Sequence, residues 1–350
     1  MNQETTEIRD GEEIDRASLE VYLNPRGLEG EIAIEQFPAG SSNLTYLLEI
    51  GGEEYVLRRP PFGNTVKSAH DVRREFDVLS KLSRVYSPAP KPLLFCADDA
   101  VIGSEFYLME RRRGLVIRGA FPTGGRLTQR ESLDVCRAFI NNLAQLHSLD
   151  RHAAGLGDLG HPDGYNRRQV TGWTKRYRAA KTDELPELEG TIAWLDENVP
   201  AEFGAALIHN DYKFDNIMLD PDDLTRVVAI LDWEMVTVGD PLMDLGTTLG
   251  YWLSPDAGDE MLSMPFNPRI LMENVSRADL VKIYSESMNR ELPNMLFYYV
   301  FGTFKIAVIV QQIYARWVRG DTRDERFASY GFLVERLATV ADRAISRGEV

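Results

Sequence analysis

The sequence predicts an α+β protein in which a small β-rich N-terminal lobe precedes a larger α-helical C-terminal lobe. Short apolar runs bounded by turn residues fill the region from about 31 to 110, which is typical of strands. Beyond residue 111 the apolar residues recur at helical spacing instead. The chain has 350 residues, which is long enough for two such lobes. We therefore expect an N-terminal lobe over 1–110 and a C-terminal lobe over 111–350.

The N-terminal lobe is expected to contain an antiparallel sheet and two helices. The first helix covers 14–23 and ends at Asn24-Pro25, and the second covers 69–82. Gly51-Gly52 joins the second and third strands as a hairpin. The five predicted strands read EIAIEQF, LTYLLEI, EYVLRR, KPLLFCA and EFYLME.

The C-terminal lobe is expected to be helical, with a short β segment over 206–232. The predicted helices cover 131–149, 188–198, 242–253, 278–289 and the region from 294 to the end. The most apolar stretch, 297–310, contains Lys305 and is too short to span a bilayer. A buried helix is therefore expected there.

Charge and cysteine content restrict the function classes. Against 39 Lys and Arg stand 54 Asp and Glu, so the formal net charge is −15, which disfavours a surface built to hold nucleic acid. Cys96 and Cys136 both lie among apolar neighbours, which is typical of buried thiols in a reducing compartment. The N-terminus lacks the apolar core of a signal peptide. We expect a cytoplasmic protein with no nucleic-acid or membrane partner, and the oligomeric state is left open.

The segment HNDYKFDN, from His209 to Asn216, carries the most chemical information. An apolar strand enters this polar loop, another leaves it, and a later strand ends at Asp232. Magnesium-assisted phosphoryl transfer needs one carboxylate to accept or orient the proton of an attacking hydroxyl, and oxygen ligands for the metal. Asp211 fits the first role, while Asn216 and Asp232 fit the second.

HNDYKFDN, followed by ILDWEMVTVGDPLMDLG, resembles the aminoglycoside phosphotransferase/choline kinase superfamily. The runs PAGSSNLTYLL, YVLRRPP, SAHDVRREFDVL, FYLME and GYNRRQVTGW are most similar to the phosphotransferase-like domains of certain acyl-CoA dehydrogenase family proteins. The resemblance covers about 32–253. It implies a protein-kinase-like bilobal fold that binds ATP and Mg²⁺ between its lobes.

The resemblance also implies a set of nucleotide-binding residues. The loop containing Gly40, Ser41, Ser42 and Asn43 would cover the phosphates. Val56 would lie over the adenine, with Met109 behind it, and the backbone near Glu110 to Arg112 would bond the base. These assignments include Glu110 and Arg112 as cofactor-binding residues.

Arg58 would bind the phosphates in this scheme, where protein kinases usually carry a lysine. Val56 and Arg58 share one strand face by the period of two, although Arg59 takes this role if the register differs by one. Glu75 falls in the apolar stripe of its helix, and a carboxylate on a buried face needs a cation. Arg58 is the expected partner.

Three further residues are interpreted as supporting the site or the core. Asp244 is expected to bond the catalytic loop. His209 is expected to orient that loop, and we include it with Asp211 among the catalytic candidates. His147 shares an apolar helix face with Cys136, so a core role is expected.

Two function classes remain open at this point. The absence of a Gly-Lys dipeptide excludes a P-loop NTPase, and no cysteine pair has zinc-finger spacing. One class is an active small-molecule kinase that phosphorylates a hydroxyl group. Its acceptor could be a hydroxyacyl-type metabolite or an aminoglycoside. The other class is a nucleotide-binding pseudo-kinase, which the Lys-to-Arg difference at Arg58 favours.

Overall fold

The computed structural model describes residues 4–38, 43–61, 71–118, 125–253, 269–322 and 324–350. The chain forms two compact units. The first comprises Met1–Gly114 and Val228–Glu234, and the second comprises Leu115–Val227 and Met235–Val350. Sequence reasoning assigned 228–234 to the C-terminal lobe, whereas its contacts place this segment in the first unit. The peptide N–H of Ile230, for example, donates to the carbonyl of Pro88 at 2.8 Å.

The first unit is built on an antiparallel sheet of five strands in the order β1-β2-β3-β5-β4. These strands are β1 (Ile32–Gln36), β2 (Leu44–Ile50), β3 (Glu53–Arg59), β4 (Pro92–Cys96) and β5 (Phe106–Glu110). All five predicted strands are therefore confirmed, with ends that differ by at most one residue. Gly51 and Gly52 both have positive φ, as the tight hairpin between β2 and β3 requires.

Two helices accompany this sheet. Helix α1 (Arg16–Leu23) buries Leu19 and Leu23 in the same apolar cluster as the sheet residues Tyr46 and Leu57. Helix α2 (Val72–Leu82) begins after Asp71, whose carboxylate accepts the N–H of Arg74. The beginning of the predicted helix, 69–70, lies outside the described residues.

The second unit is mainly helical. Its helices are α3 (Gln129–His147), α4 (Tyr165–Ala180), α5 (Pro186–Glu197), α6 (Pro241–Tyr251), α7 (Arg269–Met272), α8 (Arg277–Met288), α9 (Met295–Val318) and α10 (Tyr330–Arg347). Short strands β6 (Ala206–Ile208) and β9 (Thr237–Gly239) pair antiparallel, and β7 (Ile217–Leu219) follows the polar loop. Strand β8 (Val227–Ile230) leads towards Asp232. Sequence reasoning did not predict α4 or β9.

Helix α9 is the longest and most apolar helix among the described residues. By length and composition it could cross a membrane, but 78% of its most apolar 18-residue window is buried inside the protein. It packs closely on α6, because a Cβ atom on Gly302 of α9 would collide with the backbone of Gly246 on α6. The helix therefore forms part of the core of the second unit, as the sequence predicted.

Candidate active site

Asp211 lies in the polar loop between β6 and β7, and three side chains of the second unit hold its carboxylate. Lys213 places its ammonium 2.9 Å from Oδ2, and Asn216 donates an amide N–H to the same oxygen at 3.0 Å. The hydroxyl of Tyr251, at the end of α6, donates to Oδ1 at 2.8 Å. The side chain remains 16% exposed, so a substrate can still reach it.

These contacts determine the charge state of Asp211. Burial alone would raise the pKa of Asp211, but the ammonium of Lys213 and the hydrogen bonds it receives lower it below the usual value. Lys213 remains an ammonium, because the neighbouring Tyr251 and Asp211 outweigh the effect of burial and raise its pKa. The loop therefore presents an ionised carboxylate at neutral pH.

Asp244 holds the backbone of the same loop from α6. Its buried carboxylate accepts the N–H groups of His209 at 2.6 Å and Asn210 at 2.8 Å. His147 contributes a third contact, with Nε2 3.2 Å from Asp244. The predicted structural role of Asp244 is confirmed. His147 is buried as predicted, but it also belongs to this polar network.

His209 is fully buried and makes a hydrogen bond within its own loop. Its Nδ1 accepts the backbone N–H of Asp211 at 3.3 Å. The contact agrees with the orienting role expected for His209, because it fixes the peptide that precedes the carboxylate.

Asn216 is held in place through its amide nitrogen. Its amide nitrogen donates both to the backbone carbonyl of Asp211 at 2.9 Å and to the carboxylate of Asp211 at 3.0 Å. The two bonds fix which end of the amide is nitrogen. The oxygen Oδ1 is thereby directed away from Asp211, as a hard oxygen ligand for Mg²⁺ must be.

Arg58 and Glu75 form a buried ion pair in the first unit. The guanidinium Nη1 lies 3.0 Å from Glu75 Oε1, and the two side chains are 10% and 1% exposed. Burial alone would lower the pKa of Arg58, but the Glu75 carboxylate outweighs it, so the arginine stays charged. Arg59 points elsewhere and donates to the carbonyl of Ile102 at 2.8 Å. The predicted register of β3 is confirmed.

Asp232 extends this ion pair. Its Oδ1 lies 3.2 Å from Arg58 Nη2, and its side chain is 32% exposed. The backbone of Asp232 adopts φ of 66°, a left-handed conformation that, among residues other than glycine, is found mainly for asparagine, aspartate and histidine. The next residue, Trp233, donates its N–H to Glu75 Oε1 at 3.2 Å. A partly exposed carboxylate beside an arginine fits a metal and phosphate site.

Asn43 and Glu234 make a second polar contact in the first unit. Asn43 is 3% exposed and donates its amide to Glu234 Oε2 at 3.1 Å. Within the described ranges, neither Asn43 Oδ1 nor Arg58 Nε has a hydrogen-bond partner, although both are buried. Gly40, Ser41 and Ser42 lie outside the described residues. The unpaired Nε donor of Arg58 suits a phosphate oxygen.

Val56 and Met109, two of the predicted adenine-binding residues, lie together on the sheet. Val56 of β3 and Met109 of β5 are direct antiparallel partners, so their side chains share one face. The N–H of Glu110 donates to the carbonyl of Lys91 at 2.9 Å, and its carboxylate pairs with Arg112 at 2.7 Å. Adenine would therefore have to use other backbone atoms of 110–112.

The two predicted metal ligands belong to different units: Asp232 to the first and Asn216 to the second. In the part of the chain that the structure describes, no three His, Cys, Asp or Glu side chains gather as a metal site. The shared magnesium site therefore stays a prediction. The donor set of one carboxylate and one amide oxygen fits the metal proposed.

Sequence reasoning missed three residues of the site: Lys213, Tyr251 and Lys305. Lys213 stands two residues after Asp211, so its position in the loop was a usable signal. Tyr251 and Lys305 lie 40 or more residues away on helices. Lys305 donates to the carbonyl of Asn210 at 2.6 Å, a contact with no local sequence signature.

The chain is similar over most of its length to known proteins. Acyl-CoA dehydrogenase family member 11 from Gallus gallus is 36% identical over 344 residues, which are 95% of this chain and 44% of that protein. The chain thus spans less than half the length of that relative. A Ralstonia eutropha structure classed with the aminoglycoside phosphotransferases superposes with a TM-score of 0.78 and 29% identity, over 96% of this chain and 99% of that one.

More distant structures share the fold. A thermostable mutant of aminoglycoside phosphotransferase APH(4)-Ia, in complex with ADP and hygromycin B, has a TM-score of 0.60 and 15% identity over 93% of this chain and 98% of that one. Choline kinase from Cryptosporidium parvum has a TM-score of 0.60 and 13% identity over 91% of each chain.

The family follows from sequence and fold together. Residues 33–266 match the phosphotransferase enzyme family APH. The resemblance seen in the motifs and the predicted kinase-like α+β fold are both confirmed. The chain belongs to the APH phosphotransferase family and has its kinase-like fold.

Proposed function

We propose that this protein transfers the γ-phosphoryl group of ATP, with Mg²⁺, to a hydroxyl group of a small molecule. The observation that carries the proposal is the Asp211 carboxylate. It is ionised, partly exposed, and held by Lys213, Asn216 and Tyr251. Such a group can orient an acceptor hydroxyl and take its proton.

The reaction exchanges one bond for another. The acceptor oxygen forms a bond to the γ-phosphorus, the bond from that phosphorus to the β-bridging oxygen breaks, and ADP leaves. The hydroxyl proton passes to Asp211. Because the transition state of phosphoryl transfer is loose, the hydroxyl keeps its proton until late, and a carboxylate of low pKa suffices.

Arg58 is the proposed phosphate ligand. Glu75 fixes its guanidinium on one side, and its buried Nε has no hydrogen-bond partner among the described residues, so a phosphate oxygen would satisfy this donor. Bound by Asp232 and by Asn216 Oδ1, Mg²⁺ would neutralise charge on the phosphates. The presence of ADP in the related APH(4)-Ia complex supports the choice of an adenine nucleotide.

The acceptor is proposed to be a hydroxyacyl-type metabolite rather than an aminoglycoside. A polycation would need unpaired carboxylates near Asp211. Within the described ranges the loop carboxylates are already paired, Asp211 with Lys213 and Asp215 with Arg118. The similarity to an acyl-CoA dehydrogenase family protein favours the same acceptor class.

We also propose that the protein acts in the cytoplasm. Its two cysteines are free and buried, as is typical of proteins in a reducing compartment.

A catalytically silent nucleotide-binding protein is the second candidate. The arginine at position 58 favours it, since the phosphate-binding residue of active kinases in this resemblance is a lysine. Arg58 is nevertheless a cation held beside both Glu75 and Asp232, and a guanidinium can make the same phosphate contact.

The test is a panel of acceptors with ATP and Mg²⁺. Hydroxyacyl-CoA thioesters, amino alcohols, sugars and aminoglycosides would each be incubated with the protein, and the product would be identified by its added phosphoryl mass. We expect phosphorylation of a hydroxyacyl compound. Tight ATP binding with no product from any acceptor would instead establish the silent nucleotide-binding protein.

A further inference from the structure

Lys305 is a buried cation that the proposed chemistry does not use. It lies within the apolar helix α9 and is 2% exposed. Its ammonium donates to the backbone carbonyl of Asn210 at 2.6 Å. Burying an ammonium is unfavourable unless it is well paired, so a lysine in this helix requires a compensating role.

The partner of Lys305 is the residue directly before Asp211. Asn210 has φ of 68°, in the left-handed region that asparagine adopts more readily than most residues other than glycine. Each of its polar groups is held by a different part of the second unit. The partners are the Asp244 carboxylate for its N–H, Lys305 for its C=O, the Met235 carbonyl for its amide nitrogen and the Tyr165 hydroxyl for its amide oxygen.

The contact of Lys305 acts on the peptide that carries the catalytic residue. The carbonyl of Asn210 and the N–H of Asp211 belong to one planar peptide group. Lys305 holds the oxygen end of this group, while His209 Nδ1 accepts the N–H end at 3.3 Å. The plane of the peptide is thus fixed from both ends, which sets the direction in which the Asp211 side chain leaves the backbone.

We propose that Lys305 is a positioning residue, whose ammonium holds the Asn210–Asp211 peptide so that the Asp211 carboxylate meets the acceptor hydroxyl. This inference rests on the proposed function of Asp211. Misplacing a catalytic group by about 1 Å can lower turnover about 10²-fold, so a contact of this kind has a large effect on rate.

The charges around Lys305 come from three elements. Asp244 on α6 and Asp211 in the loop attract its ammonium, while Lys213 in the loop and Arg176 on α4 repel it. Burial has the largest effect and lowers the pKa of Lys305 to about 8. The ammonium is therefore present at neutral pH and is lost under mildly alkaline conditions, which weakens its hydrogen bond to the carbonyl.

A purely structural lysine and a positioning lysine predict different results for Lys305→Met. This substitution keeps an unbranched side chain, one atom shorter, and removes the buried charge. A structural role predicts a lower melting temperature. A positioning role predicts an unchanged or higher melting temperature together with slower turnover, because the buried charge serves the loop and not the stability of the fold.

The matched control is Gln311→Met on the same helix. Gln311 is also buried and donates to a backbone carbonyl, that of Ala180 at 2.9 Å, but it does not touch the loop among its described contacts. For each variant we would measure the melting temperature, ATP affinity, kcat with the acceptor from the panel, and hydrogen exchange of peptides covering 206–219.

For Lys305→Met we expect kcat to fall about 10- to 100-fold with unchanged ATP affinity. Exchange in 206–219 should become faster. In the wild type, kcat should also decline above about pH 8, and this decline should vanish in the variant. Gln311→Met should leave kcat and exchange in 206–219 unchanged.

Two results would overturn the inference: kcat within twofold of wild type, or unchanged exchange in 206–219. If Lys305→Met does not fold, Lys305→Leu takes its place and is judged by the same two results. A wild type that phosphorylates no acceptor contradicts the proposed function instead. The exchange data would then still show whether Lys305 holds the loop.

Discussion

At the residue scale, the arginine at position 58 changes how the proposed phosphate cation is held. A lysine ammonium is a single point charge, whereas the Arg58 guanidinium contacts Glu75 at 3.0 Å and Asp232 at 3.2 Å with separate nitrogens. Glu75 is 1% exposed and depends on this cation for its charge. Position 58 therefore couples the stability of the first unit to its proposed phosphate contact.

Arg58→Ala is expected to lower the free energy of unfolding by about 3–5 kcal/mol, because it leaves the Glu75 carboxylate buried without its cation. It should also weaken ATP binding. Arg58→Lys restores the charge without the second contact, so its effects should be smaller. Urea unfolding and calorimetric ATP titration would measure both.

The neighbouring arginine provides the control. Arg59→Ala removes a hydrogen bond to the carbonyl of Ile102, so it should reduce stability while leaving ATP affinity unchanged. Weaker ATP binding in Arg59→Ala than in Arg58→Ala would show that Arg59 is the phosphate ligand. Unchanged ATP affinity in both variants would favour the silent nucleotide-binding protein.

Asp211→Asn should lower kcat about 10²–10⁴-fold, because the amide cannot take the acceptor proton. ATP affinity should remain close to that of the wild type. Asp215→Asn is the matched control in the same loop, since its carboxylate pairs with Arg118 at 3.2 Å. Steady-state kinetics of both variants would test this. An Asp211→Asn enzyme within a few-fold of wild type would remove the assignment.

Asp232→Asn should abolish the tightening of ATP binding by Mg²⁺. Asparagine is the appropriate replacement, because it tolerates the φ of 66° at this position while it removes the charge. Calorimetric titration of ATP with and without Mg²⁺ gives the metal effect directly. If the variant retains the full effect, the ion is bound by other residues.

At the scale of elements, local patterns predicted some features well. The apolar stripe of α2 placed Glu75 on the buried face, and the alternation of β3 placed Arg58 opposite it, so their ion pair followed from two periodicities. Helix α4 was missed because its five basic residues obscure a stripe that includes Val170, Trp173 and Tyr177.

Contacts between distant elements could not be predicted in this way. Tyr251 reaches Asp211 from the end of α6, and Lys305 reaches Asn210 from the middle of α9. In the sequence, Lys305 is only an interruption of an apolar run. Its role depends on how closely α9 packs on α6, and a single sequence does not show that distance.

Glycines at the α6–α9 contact set this distance. A Cβ atom on Gly302 would collide with the backbone of Gly246 and Thr247, which are held within α6. Because α6 carries Tyr251 and α9 carries Lys305, separating the helices would move at least one of these side chains away from the loop at 209–216.

Gly302→Ala should lower the free energy of unfolding by about 1–3 kcal/mol, as overpacking does, and should reduce kcat as well. Gly172→Ala is the control, because its Cβ atom would meet nothing within 4 Å on α4. It should stabilise the protein by about 0.5–1 kcal/mol through helix propensity. Equal unfolding midpoints for the two variants in urea would contradict the close packing inferred here.

At the scale of the whole molecule, the net charge of −15 makes the free energy of unfolding depend on pH through the repulsion among the acidic groups. The contribution of a single group is visible only as a difference between two otherwise identical proteins. Lys305 is the best placed for such a comparison, because burial lowers its pKa to about 8 from an ordinary 10.5.

The stability of the wild type relative to Lys305→Met should rise between about pH 8 and 10.5. In this range Lys305 has lost its proton in the folded state but keeps it in the unfolded chain, so raising the pH favours folding. Below pH 8 the cost of burying the charge is fully present. The measurement is urea unfolding of both proteins at several pH values, with the difference in free energy plotted against pH. A difference that is constant from pH 7 to 10.5 would show that Lys305 titrates normally. Activity should change in the opposite direction over the same range, because the ammonium that costs stability is the group that holds Asn210 in place.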